Sequence, residues 1–279
     1  MRALVKYESG PGNVALCEIA SPATQPGHVL IDVAYGAVCG TDRLAVEGGH
    51  DFHVPRTLGH EASGVVAALG AGLRRDDLQV GTRVTVETDA YLCMRCEYCL
   101  REEYNRCPSR RGIGTTADGA LAEQLSIPER AVHALPDSVG LLAGALTEPL
   151  AIAVHAVIEQ SPSLAGQVVV VIGPGAIGQL CAQVAHAVGA TVVLVGRSRH
   201  LETLRRLLIS ASRISLTARP GTFGPWWMPS PKATALIRSS SAAAQMTCSI
   251  LRFRCCAGAV DWSRWHFADR RESRSTTSG

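Results

Sequence analysis

Short runs in which apolar and polar residues alternate dominate the first 145 residues of the chain. Four of these runs are rich in valine and lie between turns that contain glycine or proline. They are residues 3–8, 28–38, 62–70 and 82–88. A period of two residues predicts strands with one buried face. A series of such short strands predicts an all-β, barrel-like domain.

The pattern changes near residue 147. Thr147 can cap a helix whose first turn holds Glu148 and Pro149. Residues 167–196 then predict a buried strand, a glycine turn, an amphipathic helix that stops at Gly189, and a second strand. This is one β-α-β unit. We therefore predict an all-β domain at 1–150, followed at 151–207 by the first part of an α/β domain.

The last segment, residues 208–279, differs in composition from the rest of the chain. It carries 3 acidic residues and 10 Lys/Arg, whereas residues 1–207 carry 21 acidic residues and 17 Lys/Arg. It also holds all four tryptophans and shows neither a helical nor a strand period. We interpret it as a tail translated out of frame after a frameshift near residues 200–210. We expect it to be poorly ordered and to leave the strand at 189–196 as an exposed edge.

A genuine divergent domain remains the alternative for this tail. Reading the coding DNA in its other frames would separate the two interpretations. The basic residues form no helical stripe, so we predict no nucleic-acid partner.

The overall composition excludes two classes of protein. A hydrophobic content of 47% with 18% charged residues is typical of a globular chain rather than a disordered one. No apolar run reaches the length of about 18 residues that a membrane span needs. The N-terminal residues lack the apolar core of a secretory signal, and four of the ten cysteines have metal-ligand spacing. We therefore predict a cytoplasmic protein without a membrane partner.

Four cysteines lie within fifteen residues, in the sequence CMRCEYCLREEYNRC. Their spacings are two, two and seven residues, and they are Cys93, Cys96, Cys99 and Cys107. Four thiolates close a tetrahedral shell around zinc and leave no position for a substrate. The sequence therefore predicts a structural zinc lobe at 91–108 rather than a reaction centre.

The glycine turn GPGAIG at 173–178 matches the dinucleotide-binding pattern GxGxxG. It follows a valine-rich strand and opens a helix, which is the context that this motif requires. Gly173 would allow the tight turn, Gly175 would let the backbone approach a pyrophosphate, and Gly178 would permit close packing of helix on strand. The predicted cofactor-binding positions of the turn are Gly173, Gly175, Ala176, Ile177 and Gly178.

The end of the second strand bears on the choice between NAD and NADP. NAD binding favours an acidic residue there, but the sequence reads GRSRH at 196–200. Arg197 and Ser198 suit a 2′-phosphate, which gives a slight preference for NADP. The alternative, that the arginines at this strand end face solvent, stays open.

A catalytic metal site needs about three protein ligands and an exchangeable position. The candidates are Cys39 in VCGTD, His60 and Glu61 in LGHEASG, and Glu148 in LTEPL. Each also has a purely structural explanation: a small core cysteine, a turn, and an acidic residue in the first turn of a helix. Their occurrence together with the cysteine lobe and the glycine turn favours the metal site.

The same segments resemble the zinc-dependent medium-chain alcohol and polyol dehydrogenases over roughly residues 1–205. Segments 110–128 and 145–157 most resemble the branch of sorbitol (L-iditol 2-) dehydrogenases. The resemblance implies a GroES-like β-barrel catalytic domain followed by a Rossmann NAD(P)-binding domain, which would be incomplete in this chain. It also implies that relatives are usually oligomers, so we expect a homo-oligomer if the fold is intact.

The resemblance also implies roles for individual residues. Cys39, His60 and Glu61 would be ligands of the catalytic zinc, and Glu148 would lie at the same metal as a ligand or through a water molecule. Thr41 would relay the substrate proton, and Asp42 would orient the histidine ligand. Many relatives have a histidine five positions after the cysteine ligand, whereas this chain has Leu44.

The resemblance and the motifs together predict an oxidoreductase with one catalytic and one structural zinc. It would transfer a hydride between the secondary alcohol of a polyol or sugar and NAD(P). The alternative is an inactive zinc-binding remnant of such an enzyme. The sequence does not specify which alcohol is the substrate.

Overall fold

A computed structural model describes residues 1–49, 53–161 and 163–196, together with the backbone of two short strands, Ile214–Thr217 and Ser249–Ile250. Arg197, Ser198 and most of the segment 208–279 lie outside the described residues. The interpretation of that segment as an out-of-frame tail is therefore not tested by the structure.

The N-terminal part is built from two antiparallel sheets. The strands in chain order are β1 (Arg2–Lys6), β2 (Val14–Glu18), β3 (His28–Ala37), β4 (Arg56–Thr57), β5 (Glu61–Leu69), β6 (Arg83–Val86), β7 (Gln124–Pro128) and β8 (Val132–Ala134). The larger sheet has the order β7-β3-β5-β6-β8 and the smaller one β2-β1-β4. The four strands predicted from alternation are confirmed as β1, β3, β5 and β6, whereas the other four are too short to give a clear period.

Alternation places one face of the larger sheet in a common core. Val29 and Ile31 of β3 are buried with Val66 of β5, Val84 of β6 and Ile127 of β7. The paired strands β3 and β5 approach closely at Gly64, where a Cβ atom would lie 2.2 Å from the carbonyl oxygen of Asp32. This close approach fixes the start of β5 relative to the end of β3, and both of those points carry site residues.

Five α-helices lie in the described part of the chain. They are α1 (Gly40–Glu47), α2 (Glu97–Leu100), α3 (Leu141–Gly144), α4 (Thr147–Val154) and α5 (Ala176–Ala187). A π-helical segment, His155–Glu159, continues α4. Thr147 does not cap α4 as predicted: the N-cap position is Leu146, without a side-chain cap, and Thr147 is the first helical residue.

The C-terminal described part is a parallel β-α-β unit. Strands β9 (Val168–Ile172) and β10 (Thr191–Val195) pair in parallel and α5 connects them, as predicted. The residues Val169, Val171, Cys181, Val192 and Leu194 are buried in its core. This arrangement is part of a Rossmann-type sheet.

Two further strands join this sheet from the tail. Strand β11 (Ile214–Thr217) pairs in parallel with β10, and β12 (Ser249–Ile250) pairs antiparallel with β9. The prediction that residues 189–196 form an exposed edge is therefore wrong. The run ISLT supplies enough alternation for a strand, but it is too short to stand out from its surroundings.

Among the described residues, no helix has both the length and the apolar character needed to cross a membrane.

Candidate metal and cofactor sites

Three predicted ligands come together where β3, α1 and β5 meet. Cys39 is the N-cap residue of α1, two residues after the end of β3, while His60 immediately precedes β5 and Glu61 is its first residue. The ligand atoms of these three side chains all lie within 4.8 Å of one another. His60 and Glu61 are each only 6% exposed. A thiol, an imidazole and a carboxylate converging in a largely buried position form a donor set that suits zinc.

Asp42 holds the two backbone segments that carry these ligands. Its buried carboxylate accepts hydrogen bonds from the backbone N–H of Cys39, at 2.9 Å, and from that of Gly59, at 3.0 Å. The role that the resemblance implies for Asp42, orienting the histidine ligand, stays a prediction. Among the described residues the Asp42 carboxylate forms no hydrogen bond to His60, so it positions the ligands through the backbone.

The electrostatics of His60 reflect its acidic surroundings. Burial by itself lowers the pKa of His60, but a hydrogen bond with Cys39 and the negative charge of Asp42 and its neighbours raise it to about 9. The ring atom Nδ1 is buried and has no hydrogen-bond partner among the described residues. A metal ion would take the place of the proton that this environment favours.

Glu148 lies beside this group but outside the set of mutually close ligand atoms. Its Oε1 atom accepts a hydrogen bond of 3.0 Å from the hydroxyl of Thr88. Burial raises the pKa of Glu148, and the charge of His60 opposes that effect. Burial also raises the pKa of Glu61, and repulsion from Glu148 adds to it. A cation close to these carboxyl groups would favour their ionised forms.

Thr88 is a site residue that the sequence analysis missed. It follows strand β6 and is 60 positions from Glu148 along the chain. A threonine after a strand carries no sequence signal of its own, so only the fold identifies it.

The hydroxyl of Thr41 lies next to the ligand set. Its Oγ1 atom accepts a weak hydrogen bond from the Cys39 thiol, with an S–O distance of 3.7 Å. This places a hydroxyl within the first turn of α1 and on the same side as the cysteine ligand. The position is compatible with the predicted proton relay, which stays a prediction.

The four lobe cysteines also come together. The ligand atoms of Cys93, Cys96, Cys99 and Cys107 lie within 4.8 Å of one another, and all four are free of disulfides. The sulfur of Cys93 is 3.9 Å from that of Cys99 and 3.6 Å from that of Cys107. Two backbone N–H groups, those of Cys96 and Cys99, donate to lobe sulfurs at 3.4 and 3.5 Å. The lobe is thus arranged as a closed four-sulfur site.

The pKa values of two lobe thiols, Cys93 and Cys99, are shifted in opposite directions. Hydrogen bonds from the backbone of Arg95 and Cys96 lower the pKa of Cys93 to about 6. Burial and the neighbouring sulfurs raise the pKa of Cys99 to about 12. The local environment thus favours the thiolate form of Cys93 and disfavours that of Cys99. A divalent cation would favour the thiolate form of both.

The glycine turn has the local geometry that the motif predicts. Gly173 has a φ of +105°, and Gly175 is the N-cap of α5 with extended backbone. A Cβ atom at Gly178 would lie 1.8 Å from the carbonyl oxygen of Gly173, so only glycine allows this packing. Ala176 and Ile177 then begin the helix, whose N–H groups are available to an anion. Arg197 and Ser198 lie outside the described residues.

Comparison with known proteins places these features in a family. Residues 25–137 match the model of the alcohol dehydrogenase GroES-like domain. The chain is 41% identical over 206 residues to a sorbitol dehydrogenase of Halalkalibacterium halodurans, covering 74% of this chain and 59% of that protein. It is 36% identical over 205 residues to a D-arabitol-phosphate dehydrogenase of Enterococcus avium, covering 73% and 58%. The chain thus spans less than two thirds of the length of these relatives.

A solved structure shows the same fold with a cofactor. A protein from Sinorhizobium meliloti 1021, assigned as a zinc-binding dehydrogenase and bound to NADP, superposes with a TM-score of 0.71 at 30% identity. The match covers 78% of this chain and 61% of that one. The predicted β-barrel and partial Rossmann architecture is therefore confirmed.

Proposed function

Because this chain belongs to the zinc-type medium-chain dehydrogenases, we propose that it is a zinc-dependent, NAD(P)-linked dehydrogenase of a polyol or sugar alcohol. The names of its relatives cover a free polyol and a polyol phosphate, which supports that substrate class. The enzyme would transfer a hydride between a secondary alcohol and the nicotinamide.

The convergence of Cys39, His60 and Glu61 is the observation that carries this proposal. The residues fit a metal ion, since their ligand atoms lie within 4.8 Å of one another and the buried Nδ1 of His60 lacks a protein partner among the described residues. In the proposed site these three side chains hold the catalytic zinc. Glu148, fixed by Thr88, lies at its edge and would act on the metal through water or by a small movement.

The mechanism assigns a separate task to each residue. When bound, zinc would polarise the substrate hydroxyl and the nicotinamide would accept the hydride. Thr41 would accept the hydroxyl proton on its Oγ1 atom. Leu44 has no group that could pass the proton on, so Thr41 would release it to water or to the cofactor ribose. Asp42 keeps Cys39 and His60 in place by accepting hydrogen bonds from the backbone N–H groups of Cys39 and of Gly59, the residue before His60.

The cofactor would bind at the glycine turn of the β-α-β unit. The first turn of α5, from Gly175 to Gly178, offers backbone N–H groups to the pyrophosphate. We propose a preference for NADP because Arg197 and Ser198 follow β10, where NAD-binding sequences favour an acid. The lobe around Cys93 would hold a second, structural zinc.

We propose a catalytic domain at 1–150 and a partial Rossmann domain at 151–207. The boundary falls in α4, which contacts both β5 and α5. We further propose a cytoplasmic enzyme that forms homo-oligomers and binds no nucleic acid. The tail at 208–279 we interpret as out of frame, on its composition alone.

A specific observation favours a second candidate, an inactive zinc-binding remnant of this family. The sheet of the described C-terminal part contains only three parallel strands, β9, β10 and β11, and a dinucleotide is bound across the two halves of a complete Rossmann sheet. In that case the chain would bind zinc without turning over alcohols.

Zinc analysis combined with an activity assay tests both candidates. The chain should carry zinc at two sites, and Cys39→Ser should remove about one equivalent together with any NAD(P)-dependent oxidation of polyols. Cys17→Ser is the matched control, since Cys17 lies in β2 away from both clusters. Loss of zinc without any activity in the parent chain would favour the remnant. Unchanged zinc content in Cys39→Ser would contradict both.

A further inference from the structure

An open cavity in the N-terminal part is lined by several basic side chains. Its volume is about 370 Å³. Its polar lining consists of His53, Arg56, Ser109, Arg110, Arg111 and Thr116. Every lining residue with a permanent charge is therefore an arginine, and none is a carboxylate.

The three arginines are not fully neutralised by the acids around them. Arg56 donates to Asp118 at 3.1 Å and Arg110 donates to Asp89 at 2.8 Å. Arg111 has no carboxylate partner among the described residues: its Nε and Nη2 atoms donate to the carbonyl oxygen of Thr116. Three arginines against two acids leave a net positive charge at the cavity, and Arg111 is the residue that carries it.

Arg111 is held in a defined position despite its exposure. Its guanidinium lies 5.2 Å from the centre of the Tyr91 ring, and its backbone pairs with that of Tyr91. A guanidinium presents five N–H donors in a planar fork, and the contacts to Thr116 leave the Nη1 group free of partners among the described residues. A pre-positioned fork of this kind matches the oxygens of a phosphate monoester.

Short stretches of chain and backbone contacts connect the cavity lining to the residues of the proposed catalytic metal site. Arg56 precedes His60 by four residues, a span of at most about 14 Å. On the other wall, the N–H of Ile113 donates to the carbonyl of Thr88 at 3.0 Å, and the side chain of Thr88 holds Glu148. Gly114 of the same loop packs directly on Gly59, where an added Cβ would lie 2.5 Å from its carbonyl oxygen. The cavity lining is thus connected to the proposed zinc ligands on both sides, through the chain from Arg56 to His60 and through the contacts of the loop at Ile113 and Gly114.

We propose that this arginine-lined cavity binds the phosphate group of a sugar-alcohol monophosphate whose hydroxyl is oxidised at the zinc site. This inference rests on the proposed function and narrows its substrate from polyols in general to phosphorylated polyols. The arginines would supply charge-assisted hydrogen bonds to the phosphate, and the Ser109 hydroxyl would add a neutral donor. The polyol chain would extend from the phosphate toward His60.

Calorimetric titration of the full zinc-loaded chain tests the proposal. Galactitol 1-phosphate should bind at least about tenfold more tightly than galactitol, as expected for charge-assisted hydrogen bonds. Arg111→Gln should remove most of this difference and leave the affinity for galactitol unchanged. Arg111→Lys, which keeps the charge but loses the fork, should give an intermediate loss.

Arg74→Gln provides the matched control, because Arg74 is exposed on the loop between β5 and β6 and does not line the cavity. It should bind both ligands as the parent does. Melting temperature and zinc content, measured for every variant, show that the fold is retained. If Arg111→Gln fails to fold, Arg56→Gln and Arg111→Lys provide the same comparison.

Three results would overturn the proposal. The first is equal affinity for the ester and the free polyol. The second is binding of inorganic phosphate as tight as that of the ester, which would make the cavity a general anion site. The third is an equal loss of NADP affinity in Arg111→Gln, which would assign the cavity to the cofactor. Failure of the proposed function would be recognised by a different measurement, because Cys39→Ser would then leave the zinc content unchanged.

Discussion

Single residues at this site act mainly by fixing the backbone that carries the ligands. Asp42 joins the N-terminus of α1 to the segment before β5 by two hydrogen bonds from one buried carboxylate. The ligands Cys39 and His60 are 21 positions apart, so their separation depends on such a link. A residue that forms no bond to a metal can therefore control metal affinity.

Asp42→Asn should weaken zinc binding at the catalytic site and lower the free energy of unfolding by about 1–3 kcal/mol. The amide NH₂ group of asparagine would face one of the two backbone N–H groups, of Cys39 or Gly59, and two donors cannot form a hydrogen bond. The substitution also removes the buried charge. Zinc in the cysteine lobe should stay bound. Zinc analysis and urea unfolding measure both effects. Asp137→Asn is the control, because Asp137 is fully exposed, and equal behaviour of the two variants would contradict the role of Asp42.

Glu87 allows a prediction about pH away from both metal sites. It accepts hydrogen bonds from Arg130 at 2.6 Å and from His133 at 2.7 Å. Burial by itself raises the pKa of Glu87, but the hydrogen bond to His133 and the charges of both basic residues lower it below its usual value of 4.5. A lowered pKa stabilises the fold above pH 4.5, and this stabilisation is lost as the pH falls through the lowered value.

Glu87→Gln should therefore reduce the free energy of unfolding at pH 7 by about 0.5–1 kcal/mol, a value discounted because the pair is partly exposed to solvent. The difference from the parent should shrink below about pH 4.5. Urea unfolding at several pH values measures it, with the exposed Glu8→Gln as control. If the difference in free energy of unfolding between the parent and Glu87→Gln grew on acidification, the lowered pKa of Glu87 could not be its cause.

At the scale of elements, the glycine turn couples a strand to a helix. The helix α5 can start where it does only because Gly178 has no side chain to meet the carbonyl of Gly173. This packing brings the first turn of α5 to the end of β9, where a pyrophosphate would bind. Local packing and cofactor binding therefore depend on the same atoms.

Gly178→Ala should reduce stability by at least about 2 kcal/mol, since the backbone must move to admit a methyl group. It should also weaken NAD(P) binding, because the helix N-terminus is displaced. Thermal unfolding and cofactor titration measure the two effects. Gly140→Ala serves as control, because an added Cβ there meets no atom within 4 Å. Normal cofactor affinity in Gly178→Ala would show that this turn does not hold the pyrophosphate.

For the whole molecule, α4 connects the two folded parts. Glu148 in its first turn lies beside the candidate metal site, whereas Ala153, five residues later, is buried in the core of the β-α-β unit. A rise of about 1.5 Å per residue keeps these two points close together. Folding of the second part thus bears directly on the position of Glu148.

Removal of zinc should destabilise the whole chain, and the zinc of the proposed catalytic site and that of the cysteine lobe should contribute separately. Chelation of both ions should lower the melting temperature by at least about 5 °C, because metal-binding free energy is part of folding free energy. Cys96→Ser should lose about one equivalent of zinc and only part of this stability. The control is again Cys17→Ser. A parent chain without zinc, or Cys96→Ser with its zinc content intact, would contradict the structural site.

The sequence by itself determined the features whose parts lie close together along the chain. The cysteine lobe occupies fifteen consecutive residues, and the glycine turn and its helix are contiguous, so their spacing alone predicts their geometry. Strands β1, β3, β5 and β6 were predicted because alternation of residues encodes a half-buried strand.

Only the tertiary structure decided which distant residues meet. It brought Cys39 to His60 and Glu61, placed Thr88 on Glu148, and bonded the Asp42 carboxylate to the backbone of Gly59. It also gathered Arg56 and Arg111 around one cavity and paired β10 with β11. The physical reason is that these contacts depend on how strands cross and pair, and a local pattern records burial but not the identity of the partner.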